Sequence, residues 1–370
     1  MVVSLPYGPV SSVHSTFRRS DLSHSPYVFF YEVTRACDLV CQHCRADAQR
    51  QSHPNELDPA AGKRLIRQLN AFPKPPILVL TGGDPMKRRD IFELVEFAAH
   101  NGVRTAMTPS ATPLMTRQAV RRLKDVGLGR IAVSLDGADP ATHDALRQVA
   151  GSYDRTRQIM ADARDAGFPL QVNTTVTRRN LDQIDLMANQ LAEEHITLWS
   201  LFFLVPVGRA HQAQSITAAE YEQVFARLWR HALQHPYGIK TTEAHHYRRF
   251  VLQRRRERQR DPNTREHGTP RRPPVGISDG NGVMFVSHIG EIFPSGFLPI
   301  ECGRFPFDSV VDVYQRSALF VALRNPDQFK GKCGRCEYRR ICGGSRARAF
   351  AYTGDPLESD PDCIYEPHTG

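Results

Sequence analysis

The sequence lacks any run of about twenty apolar residues, the length a helix needs to cross a bilayer, so no membrane span is expected. Residues Met1 to Ser25 carry Arg18, Arg19 and Asp21 but no apolar block. No secretory signal is read there, and a cytoplasmic, reducing setting is expected. No cysteine lies between Cys44 and Cys302, although the chain has 8 in all. Scattered structural thiols do not segregate in this way. Where disulfides are disfavoured, two thiol clusters at opposite ends point to metal binding. No DNA-binding motif or aromatic-basic reading surface is evident, which makes nucleic acid an unlikely partner.

What is present suits a globular chain. With 370 residues, 41% hydrophobic and 9% aromatic, it is long enough for one large domain and a smaller one. The net charge of +9 favours an anionic partner. Much of that excess is local, with ten arginines between Arg248 and Arg272 facing only Glu257, Asp261 and Glu266. The run reads either as a solvated polar loop or as a patch for anions.

From Val28 the chain alternates between two periods. Apolar strands are expected at 28–33, 77–81, 104–108, 130–134, 170–177 and 197–205. Helices are expected at 59–69, 90–100, 116–126, 153–166, 181–194 and 218–234, with Gly102, Gly127 and Gly167 at helix ends. Strands apolar on both faces, alternating with helices, imply a parallel sheet covered by helices. An open barrel and a doubly wound sheet both fit this pattern. Residues 237–281 read as a basic linker or lid, and 282–293 as a β-hairpin. The chain thus divides into an extension (1–24), a core (25–236), the linker, and a small Cys-rich unit (282–370).

In such sheets ligands gather at the C-terminal strand ends, and the conspicuous motifs of the first half all fall there. Cys37, Cys41 and Cys44 follow the first strand. Zinc would need a fourth ligand, for which His43 is available, whereas a cubane held by three thiolates leaves one iron open. Leu80-Thr-Gly-Gly-Asp-Pro85 follows the second strand, and its glycines allow close backbone approach to a ligand. Thr108 and Ser110 end the third strand, Ser134 and Asp136 the fourth, and Asn173 lies on the fifth. Near the C-terminus, Cys333, Cys336, Cys342 and Cys363 form a complete set for zinc or a 4Fe–4S cluster. Cys302 is left over and reads as a buried apolar thiol. His245 and His246 read as solvated, and Arg346 and Arg348 as surface residues or as donors to a cluster or substrate.

The Cys-x3-Cys-x-x-Cys loop resembles that of the radical S-adenosylmethionine (SAM) superfamily, with His43 at its aromatic position. Gly82-Gly83-Asp84-Pro85 resembles the family's Gly-Gly-Glu-Pro motif, with Asp84 replacing Glu. The C-terminal cysteines, with Cys-Gly-Gly-x-Arg-Ala-Arg and Gly-Asp-Pro…Asp-Pro-x-Cys, resemble the SPASM or twitch extension, most of all in radical enzymes of alternative haem biosynthesis. The resemblance implies a partial (β/α)6 radical SAM barrel with a small C-terminal iron–sulfur domain. It implies a SAM-binding 4Fe–4S cluster on Cys37, Cys41 and Cys44, and one auxiliary 4Fe–4S cluster on Cys333, Cys336, Cys342 and Cys363. Ser295 and Ser345 stand where relatives often have further cysteines. SAM is expected against His43, Gly82, Gly83, Asp84, Pro85, Thr108, Ser110, Ser134, Asp136 and Asn173, with Arg209 as a further candidate. The implied reaction is hydrogen abstraction by a radical generated from SAM, with the electron supplied by a flavodoxin- or ferredoxin-type donor. The implied substrate is an anionic tetrapyrrole losing propionate carboxylates, or alternatively a ribosomal peptide. No winged-helix-like appendage of the peptide-binding kind is read before Val28. No general acid or base is assigned.

Overall fold

The structure, a computed structural model, describes residues 17–260 and 276–368. Its framework is a ten-stranded sheet. Seven parallel strands run in chain order: β1 (Val28–Thr34), β2 (Ile77–Gly82), β3 (Thr105–Met107), β4 (Arg130–Ser134), β5 (Leu170–Val176), β6 (Leu198–Phe203) and β7 (Gly238–Thr242). The connecting helices are α1 (Pro59–Gln68), α2 (Ile91–His100), α3 (Arg117–Asp125), α4 (Pro140–Arg147), α5 (Ser152–Asp165), α6 (Ile184–Glu193) and α7 (Ala218–Gln234). A doubly wound sheet reverses its strand order at a switch point. This one does not, so right-handed crossovers stack every connecting helix on one face and leave the other face inside. That order decides for the partial barrel.

The helices start where the sequence gives them caps. Asp58, Thr116, Asp139 and Thr217 each accept a backbone N–H of the first turn, and Thr217 forms a capping box with Glu220. Each such cap contributes about 1 kcal/mol. The outward strand residues Leu78, Leu80, Ile131, Val133, Leu170, Val172, Trp199 and Leu201 join the main core under the helices.

Residues 237–281 are not simply a linker or lid. Gly238–Thr242 form β7, and Tyr247–Arg260 form α8. Residues 261–275, including Arg265, Arg271 and Arg272, lie outside the described residues. His245 and His246 are buried rather than solvated, at 4% and 0% exposure. The hairpin is present as β8 (Val283–Val286) and β9 (Glu291–Phe293), with β10 (Gly303–Arg304) beyond it. Its first strand pairs in parallel with β1, Val28 opposite Val283. The second half of the chain therefore extends the sheet of the first. Beyond the hairpin lie α9 (Val310–Arg316), α10 (Ala318–Leu323), α11 (Gly331–Arg335) and α12 (Arg346–Thr353). Among the described residues, no helix is long and apolar enough to cross a membrane.

The C-terminal unit is fastened to the barrel by a buried polar joint. Arg348 is fully buried, not on the surface. Its guanidinium binds Asp360 through Nε and Nη2 at 2.9 and 3.0 Å, and the Glu243 carbonyl at 2.7 Å. Removing one partner of such a pair leaves the other as an uncompensated buried charge, at a cost of about 3–5 kcal/mol. Arg348→Met is therefore expected to lower stability by about that amount. A denaturation curve within about 1 kcal/mol of the parent protein would show the joint to be dispensable.

Candidate active site

Four strand tips converge on the loop that carries Cys37, Cys41 and Cys44. The β2 tip is hydrogen-bonded onto its start, with Gly83 N donating to Thr34 O and Asp84 N to Ala36 O. A Cβ on Gly83 would lie 2.4 Å from Ala36 O, so only glycine permits this approach. The β6 tip closes the loop's far end. Arg209 N donates to Cys44 O, its Nε reaches Cys41 O at 3.1 Å, and its Nη1 reaches Ala48 O at 2.9 Å. Arg209 is thus a clamp on the loop backbone. The third and fourth tips bring Ser110 and Asp136.

Each thiol sulfur of the loop accepts an N–H. Leu39 N points at Cys37 Sγ (3.4 Å), Arg147 Nη1 at Cys41 Sγ (3.6 Å) and Ala48 N at Cys44 Sγ (3.5 Å). The C-terminal set repeats the arrangement. Cys333 accepts from Asp360 N and Arg346 Nη2, and Cys342 from Gly344 N. Cys336 and Cys363 accept from the backbone at Tyr338 and Tyr365. These four thiols line one cavity with Lys332, Arg339 and Tyr365. Cys302 does the opposite and donates to Ile300 O at 3.4 Å. N–H groups aimed at sulfur are what a cluster's thiolates require, and they help set its potential. Burial pushes the free thiols of Cys37 and Cys41 up, so they need a cation to ionise. The seven cysteines therefore fit cluster ligation and Cys302 does not. Among the described residues, no three His, Cys, Asp or Glu side chains gather as they would around a single metal ion.

The remaining expected residues divide into those at the mouth and those behind it. Ser110 Oγ donates to Gly83 O at 2.9 Å and sits 3.5 Å from Cys37 Sγ, tying β3 to the thiol loop. Thr108 donates to Thr81 Oγ1, on the same rim. Gly82 takes φ +147 at the β2 exit, and Pro85 opens a short 3-10 helix capped by Asp84. Asp84 is fully buried, accepting from Thr112 Oγ1 at 2.6 Å and from Met86 N. Its side chain thus shapes the loop, which leaves backbone groups to meet a ligand. Ser134 and Asn173 lie opposite each other on β4 and β5.

Asp136, one of the expected SAM contacts, has a fully buried side chain behind the thiol loop. It is 0% exposed, 2.5 Å from Arg147 Nη2 and 3.5 Å from His43 Nε2. Against the cost of burial, the Arg147 guanidinium holds its carboxyl low. Burial holds the His43 imidazole neutral, its pKa lowered to about 4, and its Nδ1 has no partner. Asp136 thus orients Arg147 and His43 beneath the loop. Sequence reading missed Arg147 altogether. The one signal was Asp139-Pro140, a helix start that implies α4 and places Arg147 in its last turn.

The family model for the radical SAM superfamily matches residues 31–191. An AdoMet-dependent heme synthase of Methanosarcina barkeri is 35% identical over 346 residues, covering 94% of this chain and 98% of that protein. Another, from Nitratidesulfovibrio vulgaris, is 36% identical, covering 97% and 98%. SuiB of Streptococcus suis, solved with its precursor peptide SuiA, shares the fold with a TM-score of 0.70 at 18% identity, covering 92% of this chain and 76% of that one. The thiol loop, its supporting strand tips and these end-to-end similarities agree: the chain belongs to the radical SAM superfamily and is an enzyme whose family implies a 4Fe–4S cluster and SAM.

Proposed function

We propose that this enzyme tailors a tetrapyrrole by oxidative decarboxylation of its propionate side chains. The observation that carries this reading is the similarity to the heme synthases, which spans both chains nearly whole. Cys37, Cys41 and Cys44 would hold the SAM-binding cluster, and Cys333, Cys336, Cys342 and Cys363 one auxiliary cluster. When bound, the first would supply the electron that splits SAM, and the second would provide an acceptor for the electron released with carbon dioxide.

The chain's own residues do the rest. Arg209 and Arg147 fix the thiol loop, and Gly82 and Gly83 present backbone to the methionine moiety. Ser134 and Asn173 face SAM from the barrel wall. A flavodoxin- or ferredoxin-type donor supplies electrons. A reducing cytoplasmic setting suits eight cysteines that are all free.

The test is mass spectrometry of anaerobic turnovers with a porphyrin deuterated on its propionate methylenes. Deuterium should enter 5′-deoxyadenosine while the porphyrin loses carbon dioxide. Transfer from a peptide and none from any porphyrin would replace this reading with the peptide one.

A further inference from the structure

Strand register fixes which side chains point into the barrel. Ser134 lies opposite Asn173, Asn173 opposite Ser200, and Ser200 opposite Lys240, one inward row across β4 to β7. The row above it contains Thr175, Phe202 and Thr242. The neighbouring outward residues Val172 and Trp199 belong to the core beneath the helices, which confirms the parity.

This inner wall carries positive charge without a matching carboxylate. No hydrogen bond or ion pair to the part-buried Lys240 ammonium is found among the described residues. Burial, with repulsion from Arg248 and Arg130, pulls it down to about 8, so it stays largely charged at neutral pH. The inward carboxylate of Glu32 is already bound by Arg45 at 2.9 Å and His288 at 2.8 Å. Glu243 accepts from Ser345 Oγ and is hydrogen-bonded to Asp279, so its carboxyl is already engaged, and burial beside that second acid pushes its pKa up. Two hydroxyl oxygens of the same wall, Ser200 Oγ and Thr242 Oγ1, are buried without any partner. Buried polar groups are nearly always satisfied, so an unpaired cation beside two idle hydroxyls marks a place for an anion.

We propose that Lys240, with Ser200 and Thr242, anchors a carboxylate of a molecule bound inside the barrel. The inference rests on the tetrapyrrole reading for its expected source, a propionate of the substrate. The methionine carboxylate of SAM is the other source of the same chemistry, since Ser134 and Asn173 share the row. An ammonium and hydroxyls hold a carboxylate by charge-assisted hydrogen bonds. The half-exposed ring of Phe202, beside Phe297 at 6.2 Å, offers the flat apolar surface that a macrocycle needs.

The test uses the anaerobically reconstituted holoenzyme, a porphyrin tetracarboxylate and its uncharged tetra-amide, with affinities read by absorbance titration. The parent enzyme should prefer the acid by about 10- to 100-fold, and Lys240→Met should erase most of that preference while Lys240→Arg keeps part of it. SAM affinity is measured on the same proteins. A loss in Lys240→Met that falls on SAM keeps the carboxylate site and assigns it to methionine. Unchanged affinity for both porphyrin acid and SAM overturns the proposal. Equal binding of acid and amide by the parent enzyme removes the substrate carboxylate without need of any variant. A parent enzyme that cleaves SAM but binds neither porphyrin defeats the tetrapyrrole reading instead, and the SAM arm then decides on Lys240.

Discussion

Replacing Cys37, Cys41 and Cys44 together by alanine is expected to reduce 5′-deoxyadenosine formation to background and to halve bound iron, from about eight to about four atoms per chain. The loss should be complete because the loop holds no other thiol, and the single imidazole of His43 cannot replace three ligands. His43 Nε2 is turned to Asp136, and Ser110 is held on Gly83 O. The fold should survive, since the loop is pinned by Arg209 and by Gly83 through backbone atoms that the substitutions leave untouched. Iron counted after anaerobic reconstitution, with product measured by chromatography, checks both halves. Residual SAM cleavage above background would mean that the cluster sits elsewhere. Stoichiometric zinc in the parent enzyme, with no 5′-deoxyadenosine, would end the radical reading.

The second large effect separates the two thiol sets. Cys336→Ala is expected to retain uncoupled SAM cleavage while formation of decarboxylated product falls by at least about 100-fold, since that step needs an electron acceptor as well as a hydrogen abstractor. Cys336 is remote in sequence from the first set and its neighbours are Cys333, Tyr338 and Glu337, so the change does not reach Arg147 or Arg209. Cleavage and product formation falling in step would show the C-terminal set to be structural only. The joint at Arg348 and Asp360 makes that alternative concrete. Asp360 binds Arg348 through its side chain and Cys333 through its backbone N–H, linking the thiol cavity to the barrel. A circular dichroism spectrum and unfolding midpoint matching the parent enzyme distinguish lost chemistry from lost structure.

Most of the βα alternation was legible because it is local. Apolar periodicity and glycine at helix ends place β1 to β6 within a residue or three of where they fall, and α7 at its observed bounds. Strand β7 was hidden because Gly-Ile-Lys-Thr-Thr is a part-buried edge with no apolar alternation, followed at once by an arginine-rich helix. The composition there looks solvated, yet Arg249 is buried against Glu222, and His246 packs between Tyr221 and Phe225. Partners that far away in sequence leave no local trace.

By itself, then, the sequence determined which residues are chemically able to ligate clusters and that parallel strands would carry them, because thiol spacing and hydrophobic period are properties of neighbours along the chain. Tertiary structure alone decided the rest. It chose a singly wound barrel, turned N–H groups toward seven sulfurs and away from Cys302, sank Asp136 beneath His43, and left Lys240 unpaired on the inner wall. Each of these depends on which distant groups share a buried volume, where an unpaired charge or a missing hydrogen bond costs most.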